Sequence, residues 1–371
     1  MKDGDIPVTR PFLPPLEEFQ PYLREIWDSH QLTNNGKYLR TLEEKLLEFL
    51  GISYITLTAN GTISLLMALK ALGVKGEVIT TPFSFPATTH AIWWNGNVPV
   101  FADIEPEYLN IDPDRLEEAI TERTGAILTT HVYGNPCNTG RIQEIAEKYN
   151  LAVIYDACHA FNVRLKDESL LNAGDLSILS FHPTKVFTTV EGGAIISRSQ
   201  AMKDKLNLLR NFGIASEESV LFPGINGKMN EIQAAFGLLH LKYFETLAEK
   251  RKEIYNRYLR NLSGIKGIRI ITVHPETKHN YAYLPVLIEA KSFGRSRNEV
   301  YDKLRQHQIL SRKYFSPLIS HIPEYAKLSS ANPTNLPVAE KASGEILCLP
   351  VYPDLEISTV DRICDLMRGK L

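Results

Sequence analysis

Between Ile55 and Ser197 short apolar runs alternate with amphipathic stretches, and this rhythm constrains the chain more than any other feature. The apolar runs are Ile55–Ala59, Glu77–Thr81, Val98–Asp103, Ala126–His131, Ala152–Asp156, Leu176–Phe181 and Gly193–Ser197. Each is too short for a buried helix, and continuous apolarity is what a strand covered on both faces requires. Stretches of helical period separate most of them: Ile63–Leu72, Ala87–Trp94, Pro113–Ile120 and Ile142–Tyr149. The pattern predicts an α/β fold whose seven-stranded, mostly parallel sheet carries helices on both faces. The last two strands lack a full helix between them, which leaves room for one to run antiparallel. In such sheets ligands collect beyond the carboxyl ends of the strands.

The 371 residues give room for two units. Pro7, Pro11, Pro14 and Pro15 forbid one regular helix at the start, so an extended arm is expected there. Helical patterning begins near Leu16 and returns at Leu42–Leu50. Long helices are expected over Met229–Asn261. Short strands (Gly267–Ile271, Tyr283–Ile288) then mix with helices (Arg297–His307, Val338–Glu345), as in a smaller α+β unit. The expected division assigns residues 1–250 to the arm and large unit, and 251–371 to the small one.

With 41 basic and 43 acidic residues and no long block of one sign, the chain has no dedicated nucleic-acid surface. It has no apolar run long enough to span a bilayer and no signal core, so the cytoplasm is the expected compartment. Cys137, Cys158, Cys348 and Cys364 form no CxxC pair, and His90 and His131 fit no ligand spacing; no metal is expected. Trp93 and Trp94 are expected to pack on the sheet.

Three strand ends carry the chemistry. Asn60-Gly61-Thr62 opens a helix, where exposed amides and a hydroxyl can hold a phosphate; the same tripeptide is also an ordinary helix cap. Asp156 ends an apolar strand, where a carboxylate needs a partner to stay charged. A protonated pyridine nitrogen would serve, and a capping Asp beside a packed histidine, His159, is the alternative. Lys185 follows Ser180-Phe181-His182-Pro183-Thr184 in an apolar loop. There, desolvation and nearby cations are expected to lower its pKa and free the amine to attack a carbonyl. Singly each residue has a bland explanation, but phosphate cradle, buried Asp and loop Lys in that order on one sheet point to pyridoxal-phosphate chemistry.

At these residues the sequence resembles the fold-type-I pyridoxal-phosphate enzymes, specifically the DegT/StrS sugar-nucleotide aminotransferases. Leu32-Thr33-Asn34-Asn35-Gly36, Thr81 to Thr88, His131 to Pro136, Tyr155 to Ala160, Gly224 to Glu231 and Arg312 to Phe315 carry the resemblance across nearly the whole chain. It implies that Lys185 is the Schiff-base lysine and proton shuttle, that Asp156 pairs with the pyridinium nitrogen, and that His159 lies near the phenolic oxygen. It further implies Phe85 stacked on the cofactor, and Gly61, Thr62 and Ser180 around its phosphate. Asn226 reaches the neighbouring subunit's cofactor, which makes a homodimer necessary. Thr33, His182, Arg312 and Tyr314 are its substrate candidates. His159 replaces a more usual glutamine and Cys158 an alanine. The lysine itself separates the chain from a dehydratase branch that carries histidine there.

The stretch from Ser180 to Gly193 resembles enzymes that aminate the C4 ketone of a nucleotide sugar. The substrates so implied are L-glutamate and dTDP-4-dehydro-6-deoxyglucose, the product dTDP-4-amino-4,6-dideoxyglucose, and the setting O-antigen, other lipopolysaccharide or capsule assembly. Amination at C3, a UDP-linked sugar, or a non-catalytic cofactor-binding regulator are the alternatives.

Overall fold

The structure, a computed structural model, describes residues 4–369. Helices α1 (Leu16–Ser29) and α2 (Lys37–Leu50) precede the main sheet. Its strands are β1 (Tyr54–Thr58), β2 (Glu77–Thr80), β3 (Val98–Phe101), β4 (Thr124–Thr130), β5 (Ala152–Asp156), β6 (Leu176–Ser180) and β7 (Gly193–Ser197), in spatial order β1-β7-β6-β5-β4-β2-β3. The pairs among β2 to β6 are parallel, whereas β7 is antiparallel to both β1 and β6. A parallel return needs a crossover of about a dozen residues or more, usually helical. Residues 181–192 form no such helix, so β7 comes straight back.

Successive residues of the central strands enter different cores, as the two-residue period of a strand dictates. Val78, Leu128 and Ile154 pack with Leu65 and Leu69 of α3 (Gly61–Leu72) and Ile92 of α4 (Pro86–Trp94). Their neighbours Ile79, Ile127 and Val153 pack on the other face with Leu116 of α5 (Pro113–Glu118) and Ile142 and Ile145 of α6 (Thr139–Tyr149). Trp93 and Trp94 depart from expectation. Thr88, Thr89, Ala91 and Ile92 occupy the buried side of α4, and Trp94 is left 80% exposed while Trp93 leans edge-on against Tyr325.

After α7 (Gln200–Leu209), one helix, α8 (Glu231–Leu262), runs through both units. Asn230 and Gln233 form a reciprocal cap at its start. Phe244 belongs to the core that holds Leu42 and Leu46 of α2; Ile254, Tyr258 and Leu262 belong to the small unit's core. We propose the division at residues 250 and 251 from this change of core. The small unit has a three-stranded antiparallel sheet, β8 (Ile268–Ile270), β9 (Leu284–Ile288) and β10 (Ile346–Leu349), in that order. Helices α9 (Arg297–Gln306), α10 (Pro337–Glu345) and α11 (Ile357–Arg368) complete it.

The arm is extended, as its prolines require. Ile6 and Pro7 pair in parallel with Ile309 and Leu310, and Ile6 packs on the small unit's core. A further cluster joins the units, with Phe83, Phe101 and Tyr133 from one side meeting Phe315, Leu318 and Cys348 from the other. Among the described residues no helix is long and apolar enough to cross a membrane.

Candidate active site

A cavity of about 530 Å³ opens at the carboxyl ends of β1, β4, β5 and β6, against the seam between the units. The register explains why these ends converge: Thr130 stands opposite Asp156, and Gly193 stands opposite both Thr58 and Ser180. Gly61, Thr62, Phe85, Asp156, His159, Ser180, His182, Lys185 and Tyr314 all line this one space. Residues as far apart in sequence as Gly61 and Tyr314 thus share a site.

One corner of the cavity is built by close backbone approach. A Cβ on Gly61 would come within 2.8 Å of the Ser180 Cβ, and one on Gly193 within 2.5 Å of the Asn60 carbonyl carbon. Only glycine fits either position. Asn60 caps α3 through its side chain, accepting from Ile63 N at 2.9 Å. The capping reading of Asn-Gly-Thr is therefore correct, yet it does not compete with the phosphate reading. The cap takes the third amide of the helix, while those of Gly61 and Thr62 have no partner within it. Two free amides, the α3 dipole and the hydroxyls of Thr62 and Ser180 make a corner that suits a phosphate.

At the next strand end Asp156 is 5% exposed. Its Oδ2 accepts from Thr88 Oγ1 at 2.7 Å and its Oδ1 from Cys158 N at 3.2 Å. Thr88 is bonded to Ser84 (2.9 Å), and Ser84 to Thr130 (2.9 Å), so a buried hydroxyl chain fixes the carboxylate. A carboxylate offers about four lone-pair sites. Asp156 uses two, forms no side-chain ion pair among the described residues, and so retains capacity for a cationic donor from the cavity.

His159 Nδ1 accepts from Tyr133 N at 3.1 Å, which assigns the ring proton to Nε2. Burial, reinforced by Lys185, holds its pKa well below the ordinary value, so the ring is neutral at pH 7. Its ring lies 4.6 Å from the Tyr283 ring, centroid to centroid, at a tilt of 57°. Phe85, 57% exposed, forms part of the cavity wall.

Lys185 is partly buried, and its Nζ donates to the Tyr283 hydroxyl at 3.5 Å. Here the sequence expectation fails. Burial does pull the lysine pKa down, but Tyr283, Cys158 and Asp156 outweigh it and the net shift is upward. The neighbours are a carboxylate and an accepting hydroxyl rather than cations, so the cofactor-free site holds an ammonium.

Three expected residues stand apart. Asn226 is exposed and bridges Asn211, Arg312 is exposed and bridges Cys348, and Thr33 is partly buried; none lines the cavity. Conversely Ser84, Thr88, Thr130 and Tyr283 receive no role from the sequence, although Ser84 and Thr88 lie in the Thr81–Thr88 segment that carries the resemblance. Thr88 had a usable signal, since it follows Phe85 by three residues and so lies one helical turn further along. Tyr283 had only its alternation with Tyr281.

Residues 16–368 match the profile of the DegT/DnrJ/EryC1/StrS aminotransferase family. The chain belongs to this family. It is 50% identical, over 100% of both chains, to an Escherichia coli protein named dTDP-4-amino-4,6-dideoxy-D-glucose transaminase. A Shigella dysenteriae protein of the same name is 49% identical over 97% of this chain and 98% of its own. Among solved structures, DesI in the presence of its TDP-sugar product superposes with a TM-score of 0.94 at 30% identity, covering 99% of this chain and 93% of that one. The protein is thus an aminotransferase of the sugar-aminating type, and its cofactor is pyridoxal 5'-phosphate. The non-catalytic alternative gives way to this enzymatic family.

Proposed function

We propose that the enzyme transfers the amino group of L-glutamate to the C4 ketone of dTDP-4-dehydro-6-deoxyglucose, yielding dTDP-4-amino-4,6-dideoxyglucose. End-to-end identity of 50% with the E. coli transaminase of that name carries the proposal. The cavity supports it, being large enough for a cofactor ring and a sugar while remaining within the range of small-molecule sites.

Bound pyridoxal phosphate supplies an aromatic ring that spreads the negative charge left when a proton leaves carbon. In this reading the chain's own residues do the rest. Asp156, clamped by Thr88, faces the ring nitrogen and keeps a proton on it. Gly61, Thr62 and Ser180 hold the phosphate, and Phe85 covers one face of the ring. His159 presents its Nε2 proton toward the phenolic oxygen. Lys185 Nζ anchors the cofactor between turnovers, takes the α-proton of glutamate, and later delivers a proton to C4 of the sugar. His182 and Tyr314 line the cavity and are the substrate contacts we retain. Thr33 and Arg312 receive no role at their own chain's site.

We also propose a homodimer in which Asn226 serves the partner's cofactor. Beside it lies a run of exposed apolar side chains, Phe212, Ile214, Val220, Leu221 and Ile225, which water disfavours and a second copy would cover. A cytoplasmic setting suits the four free cysteines, and use of the product in O-antigen or other surface polysaccharide is the corresponding biological role.

Absorbance of the purified protein tests the reaction. Glutamate should bleach the cofactor band, and the ketosugar should restore it. Bleaching without restoration would discard the sugar; a band indifferent to glutamate would discard the donor.

A further inference from the structure

We propose that the N-terminal arm forms a wall of the acceptor pocket, and that Thr9, with Val8 beside it, selects the ketosugar; this rests on the transaminase reading above. The arm is strapped down on both sides of Thr9. Before it, Ile6 and Pro7 pair with Ile309 and Leu310, Ile6 N donates to Gln308 O at 2.8 Å, and Val8 O accepts from Val351 N at 3.0 Å. After it, the Phe12 ring packs 5.1 Å from Tyr243 and 5.9 Å from His240 on α8. Pro11 fixes its own φ between these anchors, and with both sides tied down little entropy remains to be lost when a ligand arrives.

The strap is tied to the interior. Arg251 of α8 is buried, and its Nη1 donates to Val351 O at 3.1 Å. The same residue therefore accepts a bond from α8 through its carbonyl and gives one to Val8 through its N–H. Val8 packs on the buried cluster that contains Phe315, and Val8 and Thr9 line the cavity that holds Lys185. Yet the Thr9 hydroxyl has no hydrogen-bond partner among the described residues. A polar group on a rigid backbone, lining a cavity and unused by the fold, is placed to meet a ligand. Glutamate is small and needs only the reacting centre. A nucleotide-linked sugar carries a hydroxylated ring and a diphosphate beyond that centre, and must run along further wall. The arm accordingly acts in the second half-reaction.

Stopped-flow absorbance separates the halves. Thr9→Val, Thr9→Phe and the neighbouring surface variant Arg10→Ala would be compared with the wild type, each bleached with glutamate and then restored with dTDP-, UDP- and GDP-linked 4-ketosugars or with 2-oxoglutarate. For Thr9→Val we expect unchanged bleaching by glutamate and unchanged restoration by 2-oxoglutarate, with the Kd for the accepted ketosugar raised about 3- to 10-fold, the worth of one hydrogen bond. Thr9→Phe should raise it further and alter the ranking of the sugars, while Arg10→Ala should behave as wild type. Equal loss in both halves would reduce Thr9 to a structural residue, and unchanged sugar binding in both Thr9 variants would overturn the proposal outright. If the wild type prefers another nucleotide, the assigned substrate is wrong, and the variants are read on the sugar it does accept.

Discussion

Thr88→Val isolates the hydroxyl chain that fixes Asp156. Valine nearly copies the shape of threonine, so the packing of α4 against the sheet survives and only the hydroxyl goes. Oδ2 of a buried carboxylate then loses its 2.7 Å donor, and Ser84 keeps only Thr130. A hydrogen bond to a charged group is worth about 1.5–3 kcal/mol. The cofactor-free protein should lose stability by that amount, seen as a Tm lower by several degrees. Released on one side, Asp156 should also meet the ring nitrogen less often, weakening pyridoxal-phosphate binding by roughly tenfold, or about 1.4 kcal/mol. Thermal unfolding followed by circular dichroism measures the first quantity, and absorbance titration with the cofactor the second. Thr88→Ser should recover most of both, because it restores the hydroxyl and removes only a methyl. If the valine variant matched the wild type in both assays, or the serine variant fared no better, Thr88 would not be what holds Asp156.

Other outcomes follow from the same geometry. Gly193→Ala drives a Cβ to within 2.5 Å of the Asn60 backbone, so we expect a loss of at least about 1–3 kcal/mol with poor cofactor retention; an unperturbed melting curve would contradict the close approach. Lys185→Ala should still bind the amine form of the cofactor but turn over no substrate, and more than trace activity in a coupled glutamate assay would sink the lysine assignment. Burial depresses His131 to about 3 and His240 and His279 to about 4. These groups are neutral in the folded state and charge more readily when unfolded. Stability should therefore be full above pH ~6.5 and fall as pH drops below it, by up to about 1.4 kcal/mol per pH unit for each histidine. Urea unfolding between pH 7.5 and 5 checks this, and a flat profile would rule it out.

Much of the fold was legible because the sheet is buried on both faces, which leaves unbroken apolar runs that end where the chemistry begins. Asp156 stands out as a strand end and Lys185 by its place in the loop after one, whereas Ser180 is singled out only by the family resemblance. Features that failed to show share a physical cause. β10 was missed because Ile346 follows Glu345 of α10 directly, and Gly344 lies inside the helix instead of in a turn after it. Trp93 and Trp94 were misplaced because bulk alone does not say which side of a helix faces the core. The bond from Thr88 to Asp156 spans 68 positions and that from Lys185 to Tyr283 spans 98. Such pairs arise from tertiary folding and leave no local pattern.

Lys185 shows what that blindness costs in chemical terms. Read from its own loop, it was an amine made neutral by desolvation and nearby cations. In the folded chain burial favours the neutral form, but the net shift is upward. The Tyr283 hydroxyl accepts from Nζ at 3.5 Å and the Asp156 carboxylate lies near, while burial pushes the Cys158 thiol and the Tyr283 phenol up and keeps both protonated near neutral pH. Tyr283 is the largest of these opposing influences and the easiest to remove. Tyr283→Phe keeps the ring against His159 and deletes the hydroxyl, so the lysine pKa should fall. The neutral fraction at a fixed pH below that pKa rises tenfold for each unit of the fall, and only the neutral amine condenses with an aldehyde. Capture of pyridoxal phosphate by the cofactor-free variant should therefore be faster than wild type near pH 7.5, with the advantage shrinking as the pH approaches the wild-type lysine pKa. Stopped-flow absorbance across that range measures it. A variant that captured the cofactor no faster at neutral pH would mean that Tyr283 does not control the charge on Lys185, and that burial and Asp156 set it between them.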